Sequence, residues 1–169
     1  MGRSQEYTIA YKGLSAGVYE FSFSVDSTFF KQFEKSMIEE GNFDIGISLE
    51  KKTSLMTIDL VVKGSFVAPC DRCLRSIDIP VESSHNLYVK FDEEERFDDD
   101  VIFIHPNNHL IQLKSVIYEY IHLSLPMVNI VDCAGRDDLC DRALLEKMNP
   151  ENSEQAGDTD WSELKKLKF

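Results

Sequence analysis

The strongest signal in this chain is a two-residue period. Met56, Ile58, Leu60 and Val62 take every second position, with Thr57, Asp59 and Lys63 in the other register. Ile77, Ile79 and Val81 alternate with Ser76, Asp78 and Pro80, and the same register resumes at Leu87, Val89 and Phe91. This is the period of a strand with one face against a core. The β-branched residues in both arms suit a half-buried pleat. The arms flank one short polar apex, Cys70-Asp71-Arg72-Cys73, so residues 54–91 predict a long antiparallel hairpin. Pro80 has no amide hydrogen, which predicts an edge or a bulge there.

The same period recurs upstream. Tyr7, Ile9 and Tyr11 alternate, then Tyr19, Phe21, Phe23 and Val25, then Phe43, Ile45, Ile47 and Leu49, with Lys51-Lys52-Thr53 turning into the hairpin. Downstream, Val101 to Ile104 is a short apolar strand. Two stretches change to a helical period. Phe29, Phe30, Phe33 and Met37 predict a helix over 28–40, capped by Asp26 or Ser27 and stopped by Gly41. Its aromatic stripe reads as core packing. Leu110, Leu113, Val116, Ile117, Tyr120 and Ile121 predict a second helix, opened by Pro106-Asn107-Asn108 and ended before Pro126. His105, His109 and His122 on or near it read as structural or surface residues. The expected fold is α+β: a curved, mainly antiparallel β-sheet, a meander with a long central hairpin, covered by two helices. The expected domain spans 1–148, and 149–169 reads as a flexible acidic linker ending in a short amphipathic segment.

Composition narrows the partners. The 169 residues carry a net charge of -12, and 43% are hydrophobic, enough for a core. Nucleic-acid binders usually present a basic face, so this balance favours a basic protein over phosphates. Between the hairpin and the second helix lies an acidic run from Asp92 to Asp100. It reads first as a solvated loop and second as a docking site for a basic partner. There is no run of 18 apolar residues to span a membrane. The N-terminus lacks the continuous apolar core of a signal peptide, so the expectation is a cytoplasmic protein. Oligomeric state is not legible.

The chemistry-bearing residues are few. Cys70-x2-Cys73 is followed by Cys133-x6-Cys140. A CxxC at a hairpin apex is the usual half of a zinc site, with both sulfurs about 2.3 Å from one metal. The second pair is loosely spaced, so two readings stay open: one structural zinc on all four cysteines, or reduced structural thiols. A redox dithiol is a third reading, but its lowered pKa normally needs a helix after the first cysteine, and both flanks here read as strand. No Ser/His/Asp constellation, phosphate loop or HExxH is present, so the sequence does not argue for an enzyme. The last stretch places Trp161, Leu164 and Leu167 on an apolar side and Lys165, Lys166 and Lys168 on a basic one. It is a candidate hook for its own domain or for a partner.

The ordered set of parts resembles a known family. It comprises Cys70-Asp71-Arg72-Cys73-Leu74, the acidic segment, Glu119 through Leu123, Leu125 and Pro126, then Cys140, then Trp161, Leu164, Leu167 and Lys168. The set is similar to the YceD family of large ribosomal RNA subunit accumulation proteins. The chain departs from the family pattern at Asp158-Thr159-Asp160-Trp161, where D-P-R-W is common, and in having fewer C-terminal cysteines. The resemblance implies a non-enzymatic accessory factor in ribosome biogenesis that supports accumulation of large-subunit ribosomal RNA. The mechanism does not follow from the resemblance; the residues themselves suggest action by binding ribosomal RNA precursor or a basic large-subunit ribosomal protein, with Arg72, Trp161, Leu164 and Leu167 as candidate contact residues. The contrasting reading is a zinc-binding or thiol-redox protein that uses the CxxC hairpin.

Overall fold

The computed structural model describes residues 7–53 and 55–131, with Asp141, Ala143, Leu144 and Lys147 beyond them. The chain divides into two compact units, one of Met1–Ala68 with Asp78–Asn129, the other of Pro69–Ile77 with Ile130–Phe169. The first unit is α+β. Its strands are β1 (Thr8–Ala10), β2 (Gly17–Val25), β3 (Gly41–Lys51), β4 (Met56–Pro69), β5 (Ser76–Phe91), β6 (Arg96–Asp98), β7 (Val101–Ile104) and β8 (Leu110–Gln112). The helices are α1 (Ser27–Phe30) and α2 (Lys114–Leu123). The last residue of β4 and the first two of β5 fall in the second unit, whose described part also holds the turn between them, Ile130, Val131, Asp141, Ala143, Leu144 and Lys147.

Six strands form an open sheet in the order β2-β3-β4-β5-β7-β6, and β1 pairs with β8 in a separate ladder. β2, β3 and β4 are an antiparallel meander in unbroken register, from Gly17↔Lys51 to Val25↔Phe43 and from Gly41↔Phe66 to Lys51↔Met56. The alternation read from the sequence is the alternation of burial. Phe43, Ile45, Ile47 and Leu49 of β3 and Met56, Ile58, Leu60 and Val62 of β4 are all buried, as are Ile79, Val81, Leu87 and Val89 of β5. Phe91 follows that register but is exposed, because the strand ends there. β7 runs parallel to β5 and pairs only with Tyr88–Phe91. Among the described residues, the stretch of β5 around Pro80 therefore has a strand on one side only, where a missing amide donor costs no ladder bond.

The first helix is much shorter than the period predicted. Asp26 does cap it: its carboxylate accepts from the Thr28 amide at 2.9 Å and from the Thr28 hydroxyl at 2.6 Å. The Thr28 hydroxyl is the main reason its carboxyl titrates below the usual range. After one turn the chain leaves the helix. Phe29 and Phe30 are adjacent, so they point about 100° apart on a helix, yet each is only 1% exposed. Phe29 packs edge-on against Tyr7, and Phe30 edge-on against Phe43. Satisfying both sends the chain through turns that bury Ile38 and leave Met37 outside. Gly41 is the first residue of β3 rather than a helix stop.

The second helix starts later than predicted. Leu110, Ile111 and Gln112 are strand β8, paired antiparallel with Ala10, Ile9 and Thr8 of β1. Ile111 and Leu113 are fully buried while Leu110 is exposed, which is strand alternation and not a helical face. The Leu113 amide donates to the Tyr7 carbonyl at 2.8 Å, fixing the start of α2 to β1. From there the expected face is the buried one, with Val116, Ile117, Tyr120 and Ile121 inward and the end at Leu123, ahead of Pro126. α2 lies on the buried face of the sheet, where the Tyr120 ring meets His85 of β5 at 4.5 Å and Phe97 of β6 at 5.9 Å.

Candidate interaction surface

The hairpin apex is a wider turn than four residues. The Cys70 amide donates to the Arg75 carbonyl and the Leu74 amide donates to the Cys70 carbonyl, both at 2.8 Å. Leu74 takes a left-handed φ of 59° to close it, and its side chain is exposed. Cys70 and Cys73 are both buried, at 1% and 3% exposure, while Asp71 and Arg72 lie outside. A turn and then a strand follow Cys70, so the helix N-terminus that activates a redox CxxC is absent at this apex. Cys133 and Cys140, and the segment with Trp161, Leu164 and Leu167, lie outside the described residues. No group of three or more His, Cys, Asp or Glu side chains fit to hold a metal exists among the described residues.

The acidic run is not a plain loop. Arg96, Phe97 and Asp98 form β6, paired antiparallel with β7. The Arg96 guanidinium stands 3.9 Å over the Phe103 ring and 2.8 Å from the Asp92 carboxylate. That hydrogen-bonded guanidinium is the first cause of the lowered pKa of Asp92. Asp99 takes a left-handed φ of 50° in the turn. Asp100 accepts from the buried Tyr120 hydroxyl at 2.6 Å. Burial first, and then this bond, push the phenol well above its ordinary value. The two aromatic or basic residues inside the run, Arg96 and Phe97, thus pin it to the sheet.

The His122 and His105 rings bond within the fold, and His109 is an exposed residue. His122 sits between the Tyr118 carbonyl, 2.8 Å from Nδ1, and the Ser36 hydroxyl, 3.4 Å from Nε2. His105 Nδ1 accepts from the Asn107 amide at 3.2 Å. The His109 carbonyl accepts from the Tyr11 amide.

The feature that sequence reading missed is the other face of the sheet. The polar register of each strand was used there only to recognise a strand. The register now stacks those residues in rows. Ser24, Asp44 and Lys63 form one row, extended by the 2.8 Å ion pair from Lys63 to Glu82. Glu20, Ser48 and Asp59 form a second, with Ser22, Gly46 and Val61 between. Asp78 continues the face along β5, and Asp98 lies on β6 beyond it. Two of the face's cations, Lys63 and Arg96, are already held by Glu82 and Asp92. Small side chains at the centre keep this surface low, and carboxylates dominate around it. The helices cover the opposite face, and among the described residues nothing covers this one.

No helix among the described residues is long and apolar enough to cross a membrane. No curated protein and no solved structure matches the chain. A family model does match, over residues 58–168, about two thirds of the sequence. That span takes in β4 from its third residue on, the cysteine turn, β5 through β8, α2 and the C-terminal segment. The chain belongs to the YceD family of large ribosomal RNA subunit accumulation proteins.

Proposed function

We propose that the chain supports large-subunit ribosomal RNA accumulation by binding rather than by catalysis, and that it binds a basic large-subunit ribosomal protein. The open acidic face of the sheet carries this reading. A surface dominated by carboxylates repels phosphate backbones and attracts cationic protein, raising the rate of encounter and disfavouring wrong partners. The chain's net charge of -12 acts in the same direction. A free basic ribosomal protein held this way is kept from nonspecific contacts until it is handed to RNA.

The test is a titration of the purified chain against individual basic large-subunit proteins at low and at physiological salt. A complex is expected that weakens steeply as salt screens the face. The double variant Asp44→Lys/Asp59→Lys is expected to abolish it. Absence of a salt-sensitive complex, or tighter binding to ribosomal RNA than to every protein tried, overturns the proposal.

The burial of both Cys70 and Cys73 on one turn supports a second, compatible reading. One structural zinc, with Cys133 and Cys140 as the further ligands, would fix the turn that presents Arg72.

A further inference from the structure

The six-stranded sheet ends in two unlike edges. β6 is three residues long and carries two exposed charges, Arg96 and Asp98. That is a blunted edge of the kind that natural sheets use to prevent further pairing. β2 is nine residues long, contains no proline, lysine or arginine, and runs against β3 without a bulge from Gly17 to Val25. Among the described residues, the contact that reaches its backbone from outside the sheet is the Tyr7 hydroxyl, on the Ser24 carbonyl at 3.3 Å. Among the described residues, Glu20 and the Tyr7 contact apart, β2 lacks the usual means of refusing another strand.

The two faces beside this edge differ in chemistry. On the open face, Glu20 begins the row that continues to Ser48 and Asp59, and the Asp44 row lies beyond the small residues Ser22 and Gly46. On the other face, Tyr19 and Phe21 are half-buried at the rim of the core. A strand added at β2 lies about 4.8 Å away, with alternate side chains on alternate faces. One register would then stand beside Glu20, and within about a Debye length of Asp44 at 0.1 M salt, roughly 10 Å. The other register would continue the apolar face beyond Tyr19 and Phe21. Cations fit the first set of positions and apolar residues the second.

We infer that β2 is a strand-addition site for an extended segment of a basic protein in which lysine or arginine alternates with apolar residues. This rests on the reading of the acidic face as the docking surface and gives that docking its geometry. Backbone pairing supplies affinity, and the alternation supplies selectivity over a merely cationic chain. RNA offers no backbone that pairs with a strand edge. A second copy of this chain would bring another net charge of -12 to the same place.

The test uses four labelled nonapeptides against the full chain, read by fluorescence anisotropy at low salt. One alternates lysine and valine. One has the same composition with its lysines in a block. The other two are the alternating peptide N-methylated at every second amide, one in each register. The alternating peptide is expected to bind at least about ten-fold more tightly than the block peptide. Because alternate residues of an added strand face the ladder, one N-methyl series should lose that advantage and the other keep it. Equal binding of all four overturns strand addition and leaves the acidic face as a plain electrostatic surface. Failure of all four to bind overturns both readings. A chain that sediments as a dimer, and dissociates when Ser22→Pro and Phe21→Pro are tried in turn, assigns the edge to a second copy and overturns the inference.

Discussion

Gly64 provides a sharp test of the sheet. It lies in β4 directly opposite Phe43 of β3. A methyl group there would fall on the Asn42 carbonyl oxygen, 2.7 Å from the Phe43 Cα and 2.9 Å from its Cδ1. Two of these neighbours are backbone, so no side-chain rotation relieves the clash and β4 must move. Overpacking of this kind costs about 1–3 kcal/mol. Alanine in place of glycine in a strand returns about 0.5–1 kcal/mol. Gly64→Ala should therefore destabilise the fold by up to about 2.5 kcal/mol, out of about 5–15 kcal/mol for a typical domain. Gly46 is the control. It pairs with Val61 on the open face, and an added methyl would meet only the Val61 Cβ, at an ordinary 3.8 Å. Gly46→Ala should be neutral or stabilising by up to about 1 kcal/mol. Both variants are measured by urea unfolding followed by circular dichroism, with the denaturant slope fitted in each. If Gly64→Ala is no less stable than Gly46→Ala, the β3–β4 register is wrong. A slip of one residue would remove Gly64 from its place opposite Phe43.

Three further outcomes are expected. Tyr120→Phe deletes the hydroxyl that donates to Asp100, and should cost about 1–2 kcal/mol at neutral pH, since the exposed carboxylate can be resolvated. The folded-state pKa of Tyr120 is raised above 10.0, so its contribution is complete below that pH and declines as pH rises beyond it. The parent should lose stability more steeply than the variant in alkaline urea titrations. Asp26→Ala removes the cap on Thr28 and should cost about 0.5–1 kcal/mol. Because the Asp26 pKa is lowered from 3.8, that difference should be present above this pH and fade as pH falls below it, as an acid titration of the unfolding midpoint will show. Elemental analysis of protein kept reduced should give about one zinc per chain, lost in Cys73→Ser together with thermal stability; a metal-free protein, with the variant undisturbed, would refute the zinc reading.

The parts of the fold that were legible are those decided by one face packing on a core. β3, β4 and β5 alternate because each buries every second residue, and that pattern is local. The errors arose where a distant partner chose between two patterns that both fit. From Leu110 to Leu113 the sequence satisfies a helix by Leu110 and Leu113, and a strand by Ile111 and Leu113. β1 decides for the strand, and β1 lies about a hundred residues away. Phe29 and Phe30 fit a helix until Tyr7 and Phe43 each claim one of them. The acidic run looked uniformly solvated because seven carboxylates outweighed the one arginine and one phenylalanine that fasten it. The acidic face was present in the sequence as the polar positions of the legible strands. It could not be seen as a face until strand order and register placed Glu20, Asp44 and Asp59 on neighbouring strands.

The β1–β8 ladder has a consequence for synthesis. Every pairing from β2 to β4 joins neighbours in the chain and can form as each strand leaves the exit tunnel. β1 is different, because Thr8 must wait for Gln112. For most of translation Ile9 has no partner, and the chain-entropy cost of closing so long a loop falls on the final step. α2 begins at Lys114, two residues past the end of this ladder, and its N-cap Leu113 is tied to Tyr7. The nascent chain therefore carries an open core, roofed only when residues 114–123 emerge. A pause or truncation before that point leaves a meander whose greasy side is uncovered.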